Sequence, residues 1–291
     1  MSAYLKAKNP AFDMSSFFDV YTGASAGAYV LTYFLVTKKS PEEFKLFFRD
    51  NVAKIMQHTL RDIIFGIYQS KPKYDGKVKG TFIKTFVENH TFGSFDASKI
   101  VVVTGFNLKT QRTQIFNSSK VNKALLTRDV LDASSAAPCY YPCVFVPNCH
   151  NADEPPSDAW FLDGGLEANN PTLCGLAEIP PDRAHRRRVV INIGTGYKLR
   201  KVECEKAHMF GTYQWLASGL LTMPPQGQLV EQLTSKLLPA PNVYINVDGV
   251  LPDTIPWEVD TCTAKDMQNM ILFGEALWET HKGKFANFFD L

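Results

Sequence analysis

The stretch "FFDVYTGASAGAYVLTYFLV" (residues 17–36) sets two apolar runs on either side of five small residues, Gly23-Ala24-Ser25-Ala26-Gly27. Small residues are needed where backbone turns too sharply for a side chain. Phe17 to Thr22 reads as a buried strand and Ala26 to Thr37 as a helix. A chain that leaves a strand and at once enters a helix holds the residue between them on a strained elbow. Ser25 occupies that point, in the pattern G-x-S-x-G, with its hydroxyl at the edge of a sheet. A helix starting at Ala26 turns its N-terminal N–H groups and the positive end of its dipole toward the same place. The Ala26 N–H is therefore a donor for a developing oxyanion. Gly23 and Gly27 are expected to let neighbouring backbone pass close by. A tight turn carrying an inert serine has the same pattern, so the rest of the chain has to discriminate.

That rest alternates strand and helix. "SPEEFKLFFRDNVAKIM" opens with Ser40 as a cap, Pro41 at the first helical position and acids in the first turn, so a helix starts there. Further helices are predicted over 59–68, 79–88, 127–137, 169–179, 207–221, 226–238 and 264–285. "KIVVVTGFNL" and "RTQIFNS" read as a strand pair across the turn at Lys109-Thr110. "AWFLDGG" (159–165), "RRVVINIGTGY" (187–197) and "NVYINVD" (242–248) read as strands. Such alternation predicts an α/β chain with a mostly parallel central sheet, helices on both faces. Residues 147–159 read as a surface loop, and residues 1–291 as a single domain.

A net charge of +2 makes no case for nucleic acid as a partner. Lys and Arg gather in "KPKYDGKVKG" (71–80) and "RAHRRR" (183–188), which read as solvated loops. Attraction to an anionic lipid surface is the sharper alternative for both. The longest apolar stretch, Ala28 to Val36, is too short to span a bilayer, and the first residues lack the apolar core of a secretory signal. Cys139, Cys143, Cys149, Cys174, Cys204 and Cys262 are scattered, which fits reduced thiols in a cytoplasmic setting. "CYYPCVFVPNCH" brings three of them near His150 but holds no CxxC pair, so no metal site is expected.

A nucleophilic serine needs a base. His58, His90, His150, His185, His208 and His281 read as structural or surface residues, although an esterase pairing Ser25 with one of them stays open. Asp163 in "FLDGGLEANNP" is the other candidate. It ends an apolar strand and is followed by Gly164-Gly165, at the strand end where α/β sheets bind ligands. As a weak base it needs partial desolvation to raise its pKa. A plain Asp-Gly turn is the bland alternative.

Together "FFDVYTGASAG", "DASSAAPCYYP" (132–142), "FLDGGLEANNP" (161–171) and "VVINIGTGY" (189–197), in this order, resemble the patatin-like phospholipases, lipid acyl hydrolases with a Ser–Asp dyad. The resemblance runs from about Phe17 into the last helix. It implies a three-layer α/β/α fold and hydrolysis of phospholipid or glycerolipid esters without metal or organic cofactor. It also implies contact with a membrane or lipid-droplet surface. Ser25 would be the nucleophile and Asp163 its base, supported by Gly164 and Gly165, with Gly23, Ala26 and Gly27 forming the elbow. One departure stands out. The family opens with a strand and a glycine-rich loop whose amides complete the oxyanion hole. Here Gly23 is the sole glycine among the 24 residues before Ser25. An N-terminally shortened domain lacking its first strand is therefore expected. The alternative function is a catalytically impaired lipid-binding or regulatory protein.

Overall fold

The strand predicted before the glycine turn is β1 (Val20–Ala24). In the computed structural model it pairs in parallel with β2 (Ile100–Asn107), Val20 opposite Ile100 and Ala24 opposite Thr104. Residues 1–56, 71–149, 155–183, 185–199, 207, 209, 226–256 and 260–290 are described. They divide into two compact units, Met1–Arg186 and Arg187–Leu291.

In the first unit, β2 continues through a tight turn into β3 (Arg112–Asn117), its antiparallel neighbour. β4 (Val144–Cys149) and β5 (Ser157–Asp163) form a second antiparallel pair, and β5 joins β2 antiparallel, with Asp163 opposite Gly105 and Phe161 opposite Asn107. β3 occupies one edge of β2 along residues 102–107, so β1 and β5 share the other edge. They run toward each other and meet where β2 passes Thr104 and Gly105. This sheet is mixed, where the alternation of elements led to the expectation of a mostly parallel one. Of its four pairings among the described residues only β1–β2 is parallel. The reason is connection length: the links β2–β3 and β4–β5 are too short for a crossover and permit only antiparallel partners. Among the described residues β1 pairs with β2 alone.

Helices cover this sheet. Ahead of β1 lies α1 (Ser2–Lys8), which burial of Leu5 anchors. α2 (Ala26–Thr37) follows β1 at once and buries residues all around, as a helix packed on a sheet and beneath other helices must. α3 (Pro41–Ile55) begins where Ser40 predicts. Ser40 Oγ accepts from the Glu43 N–H at 3.3 Å and the Ser40 N–H donates to Glu43 Oε2 at 2.9 Å, a complete capping box. α4 (Lys77–Val87) packs against α2 and α3 through aromatic rings, Tyr33 on Phe47 at 5.0 Å and Phe47 on Phe82 at 5.2 Å. α5 (Thr127–Ser134), α6 (Gly165–Ala168) and α7 (Thr172–Ala177) complete the unit. Val101, Val102 and Val103 of β2 are fully buried, the continuous apolar run of a strand covered on both faces.

The second unit is a parallel pair, β6 (Val189–Ile193) and β7 (Val243–Val247), with α8 (Gln226–Leu237) and α9 (Ala264–His281) against β7. Helices expected over 59–68 and 207–221 lie outside the described residues, apart from 207 and 209.

The core predicts its own sensitivity. Phe161 is fully buried and its ring lies 5.3 Å from that of Phe116, so Phe161→Ala is expected to cost about 3–5 kcal/mol in urea unfolding. At Gly164 a Cβ would lie 2.2 Å from the Thr104 carbonyl oxygen, so β5 cannot seat against β2 with a side chain there. Gly164→Ala should lower stability by at least about 1–3 kcal/mol; an unchanged urea midpoint would refute the close approach.

Candidate active site

Ser25 falls between the last residue of β1 and the first of α2. Its backbone is at φ 50° and ψ −123°, a conformation that a side chain disfavours and that surrounding structure has to enforce. Three contacts do so. The Ser25 N–H donates to Ser134 Oγ at 3.0 Å, the Ser25 carbonyl accepts from the Ala28 N–H at 3.0 Å, and Ser25 Oγ donates to Asp163 Oδ2 at 2.6 Å. Gly23 is required by close approach, because a Cβ there would lie 2.5 Å from Leu31 Cδ2 and 2.8 Å from the Ala28 nitrogen. Gly27 differs from expectation. A Cβ at Gly27 would meet nothing within 4 Å, so no backbone passes close to it; Ala26 and Gly27 are exposed beside the serine instead.

Asp163 arrives from the opposite direction at the end of β5 and is 7% exposed. Its N–H donates to the Ala136 carbonyl at 3.0 Å, which fixes the backbone. Both carboxylate oxygens accept, Oδ2 from Ser25 Oγ and Oδ1 from the Gly165 N–H at 2.7 Å. Burial pushes the Asp163 pKa up, and the Ser25 hydroxyl, the Gly165 amide and the Lys79 charge oppose it without reversing the shift. The result is a carboxylate more basic than a solvated aspartate, touching a serine hydroxyl at the N-terminus of α2.

Every predicted site residue thus lies at this one junction: Ser25 with Gly23, Ala26 and Gly27 on the elbow, Asp163 with Gly164 and Gly165 on the facing turn. Among the described residues no histidine is bonded to Ser25, and His185 is exposed. His90 Nδ1 lies 2.8 Å from Thr127 Oγ1 and His281 Nδ1 lies 2.9 Å from the Leu277 carbonyl; His58, His150 and His208 lie outside the described residues. Cys143, Cys149, Cys174 and Cys262 are free thiols, and no group of three or more potential metal ligands occurs among the described residues.

Two contributors to the junction were not singled out from sequence as site residues. The "DASSAAP" segment, which follows Leu131 on α5, supplies three clamps: Ser134 Oγ to the Ser25 N–H, and the Ser134 and Ala136 carbonyls to the Gly164 and Asp163 N–H groups, each at 3.0 Å. Lys79 sits in the basic run 71–80 that reads as solvated and starts the helix predicted over 79–88; it lies on α4, but with a side chain only 2% exposed. Spacing betrays it in retrospect, since Lys79, Phe82, Ile83 and Phe86 recur at the three- and four-residue steps of one buried helix face.

Comparison with known proteins bears on the family. Residues 3–173 match the family model for patatin-like phospholipases. Patatin-like protein 2 of Oryza sativa subsp. indica is 23% identical over 324 aligned positions, covering 94% of this chain and 76% of that protein. A cGAMP-activated phospholipase of Escherichia coli (strain TW11681) is 27% identical, covering 98% of this chain and 85% of its own length. A cGAMP-activated phospholipase of Vibrio cholerae is 31% identical over 186 positions, 60% of this chain and 49% of that protein. With more than half its residues inside the matched region and the elbow and Asp-Gly-Gly turn meeting there, the chain belongs to the patatin-like phospholipase family.

Proposed function

We propose that the chain hydrolyses fatty-acyl esters of phospholipids through Ser25 and Asp163. The observation that carries this reading is the 2.6 Å hydrogen bond from Ser25 Oγ to a buried carboxylate raised in basicity by burial. Asp163 takes the proton from Ser25 Oγ as the oxygen attacks the acyl carbonyl carbon. The carbonyl π electrons move onto oxygen, and the oxyanion faces the Ala26 N–H at the start of α2. Collapse of the tetrahedral intermediate breaks the ester bond. The leaving lysolipid oxygen takes the proton from Asp163 and an acyl-serine remains. Water then attacks the acyl carbon with Asp163 as base, releasing fatty acid and restoring Ser25. No metal or organic cofactor enters these steps. Phospholipid is favoured over neutral glycerolipid because the E. coli and V. cholerae relatives carry that activity in their names.

Such a substrate resides in a lipid surface, and a peripheral contact with that surface follows. No helix among the described residues is long and apolar enough to cross a membrane. Apolar side chains do face outward: Phe145 and Trp160 pair across β4 and β5 with rings 5.3 Å apart, and Leu229, Leu233 and Leu237 recur every four residues on α8.

A fluorescent fluorophosphonate probe tests the dyad. Wild type is expected to be labelled, and Ser25→Ala and Asp163→Ala are not. A folded wild type that stays dark, with and without cGAMP, sinks the hydrolase reading. Hydrolysis of a phosphatidylcholine substrate should follow the same order among the three chains.

The pH dependence has a definite sign. Asp163 must be ionised to accept the proton, and the groups facing it are the Ser25 hydroxyl, the Gly165 amide, Lys79 and the buried Tyr29. Burial outweighs the two donors and Lys79, so the carboxyl protonates at a higher pH than an ordinary aspartate. Activity is therefore full above that raised value and lost as pH falls through it. An acid limb of kcat/KM at or below the usual aspartate range would contradict a desolvated base.

A further inference from the structure

Lys79 takes no part in the steps above, yet it is the buried cation acting on Asp163. Its ammonium, carried inward among Phe82, Ile83 and Phe86, is met by polar groups from α5 and the turn after it. Nζ lies 2.9 Å from Asp132 Oδ1 and donates to the carbonyls of Asp132 and Ser135, each at 3.1 Å; Ser135 Oγ is 3.3 Å away. The Tyr141 ring lies beneath, its centroid 4.5 Å from Nζ. Ser135 Oγ is also bonded to the Tyr29 hydroxyl of α2. Since α5 ends at Ser134, Lys79 caps the last carbonyls and the negative dipole end of that helix.

Asp132 and Ser135, held this way, flank the residues that clamp the dyad, Ser135 lying between Ser134 and Ala136. Ser134 Oγ receives the Ser25 N–H, the Ser134 carbonyl receives the Gly164 N–H, and the Ala136 carbonyl receives the Asp163 N–H. We infer that Lys79 is a positioning residue for the proposed acyl transfer, pinning residues 132–136 and through them the mutual placement of Ser25 and Asp163. The inference rests on the dyad reading. Its charge acts in the same sense, opposing the upward push of burial on Asp163. A merely structural filler at this place would serve as well without charge, because apolar side chains of similar volume commonly replace a buried ion pair at no loss of stability.

The test compares three chains. Lys79→Met alone strands the Asp132 carboxylate, so the deciding variant is Lys79→Met/Asp132→Leu, which removes both charges and keeps the volume. Lys79→Arg keeps the cation. The double variant, shown to be folded by circular dichroism and thermal melting, is expected to lose about 10- to 100-fold in kcat on phosphatidylcholine, with KM little changed. Its acid limb moves to higher pH. Lys79→Arg returns the limb toward wild type. A second readout needs no turnover: the Asp163 carboxyl is followed by carbon-13 NMR of labelled aspartate, assigned with Asp163→Asn. Its titration should move upward in the double variant, where Asp132, the neighbouring carboxylate, is absent as well, and in Lys79→Met, where Asp132 remains. A folded double variant with wild-type kcat and an unmoved Asp163 titration overturns the inference. If the wild type fails to label, the hydrolase reading fails by itself, and the Asp163 titration still decides whether Lys79 governs that carboxyl.

Discussion

The structure depends on two strands meeting end to end along one edge of β2. β1 approaches from one side and delivers Ser25; β5 approaches from the other and delivers Asp163; they meet beside Thr104 and Gly105. Each strand is held by backbone hydrogen bonds to the same neighbour, so the dyad distance is set by strand register rather than by a flexible loop. A one-residue slip of β5 would turn Asp163 to the other face of the sheet. Such a slip is opposed by Phe161, fully buried against Phe116, and by the contact of Gly164 with the Thr104 carbonyl, which leaves no room for a side chain. The opposite edge of β2 is occupied by β3, and the strand between is buried on both faces.

In the proposed reaction an aspartate serves as base for a serine, and opposed electrostatic effects act on it at the junction. Removing the carboxylate from water makes it more basic, which proton abstraction requires. Burial alone would push its pKa further up. The Ser25 hydroxyl, the Gly165 amide and the Lys79 ammonium each favour the charged form. Lys79 is itself buried, and Asp132 on α5 compensates it, so the positive and negative groups alternate from α5 inward to the elbow. The strained backbone at Ser25 belongs to the same arrangement. It is held by a side-chain oxygen from α5, a carbonyl contact in α2 and the dyad hydrogen bond, one from each of three separate elements.

Much of this was legible in residues close together in the chain. The elbow, the Ser40 cap, the hairpin across Lys109-Thr110 and the Asp-Gly-Gly turn all follow from local rules about where small, capping and turn residues are needed. β4 was not legible. It carries Pro147 and ends at Cys149, has a register break between Val146 and Cys149, and is tolerated as a strand because among the described residues it pairs only with β5 and forms the sheet's edge. Lys79 was misread for the opposite reason: composition speaks for solvent, and one buried helix face overrides it once Asp132 supplies a partner. Gly27 was credited with a close contact that space around it does not contain.

The amino-acid order therefore specified the two chemical ends of the site separately: a serine on a strand-to-helix elbow, and an aspartate on a glycine turn. These depend on interactions over a few residues, which the local sequence encodes directly. Their meeting at 2.6 Å did not follow from either segment. It required β1 and β5 to choose the same edge of β2 from opposite directions, and the end of α5 with the turn after it to grip both. Those contacts join residues 138 positions apart for the dyad and 109 for the clamp. Pairing over such separations is decided by which packing buries the most apolar surface while leaving no buried polar group without a partner. That is a property of the assembled fold and of no single stretch.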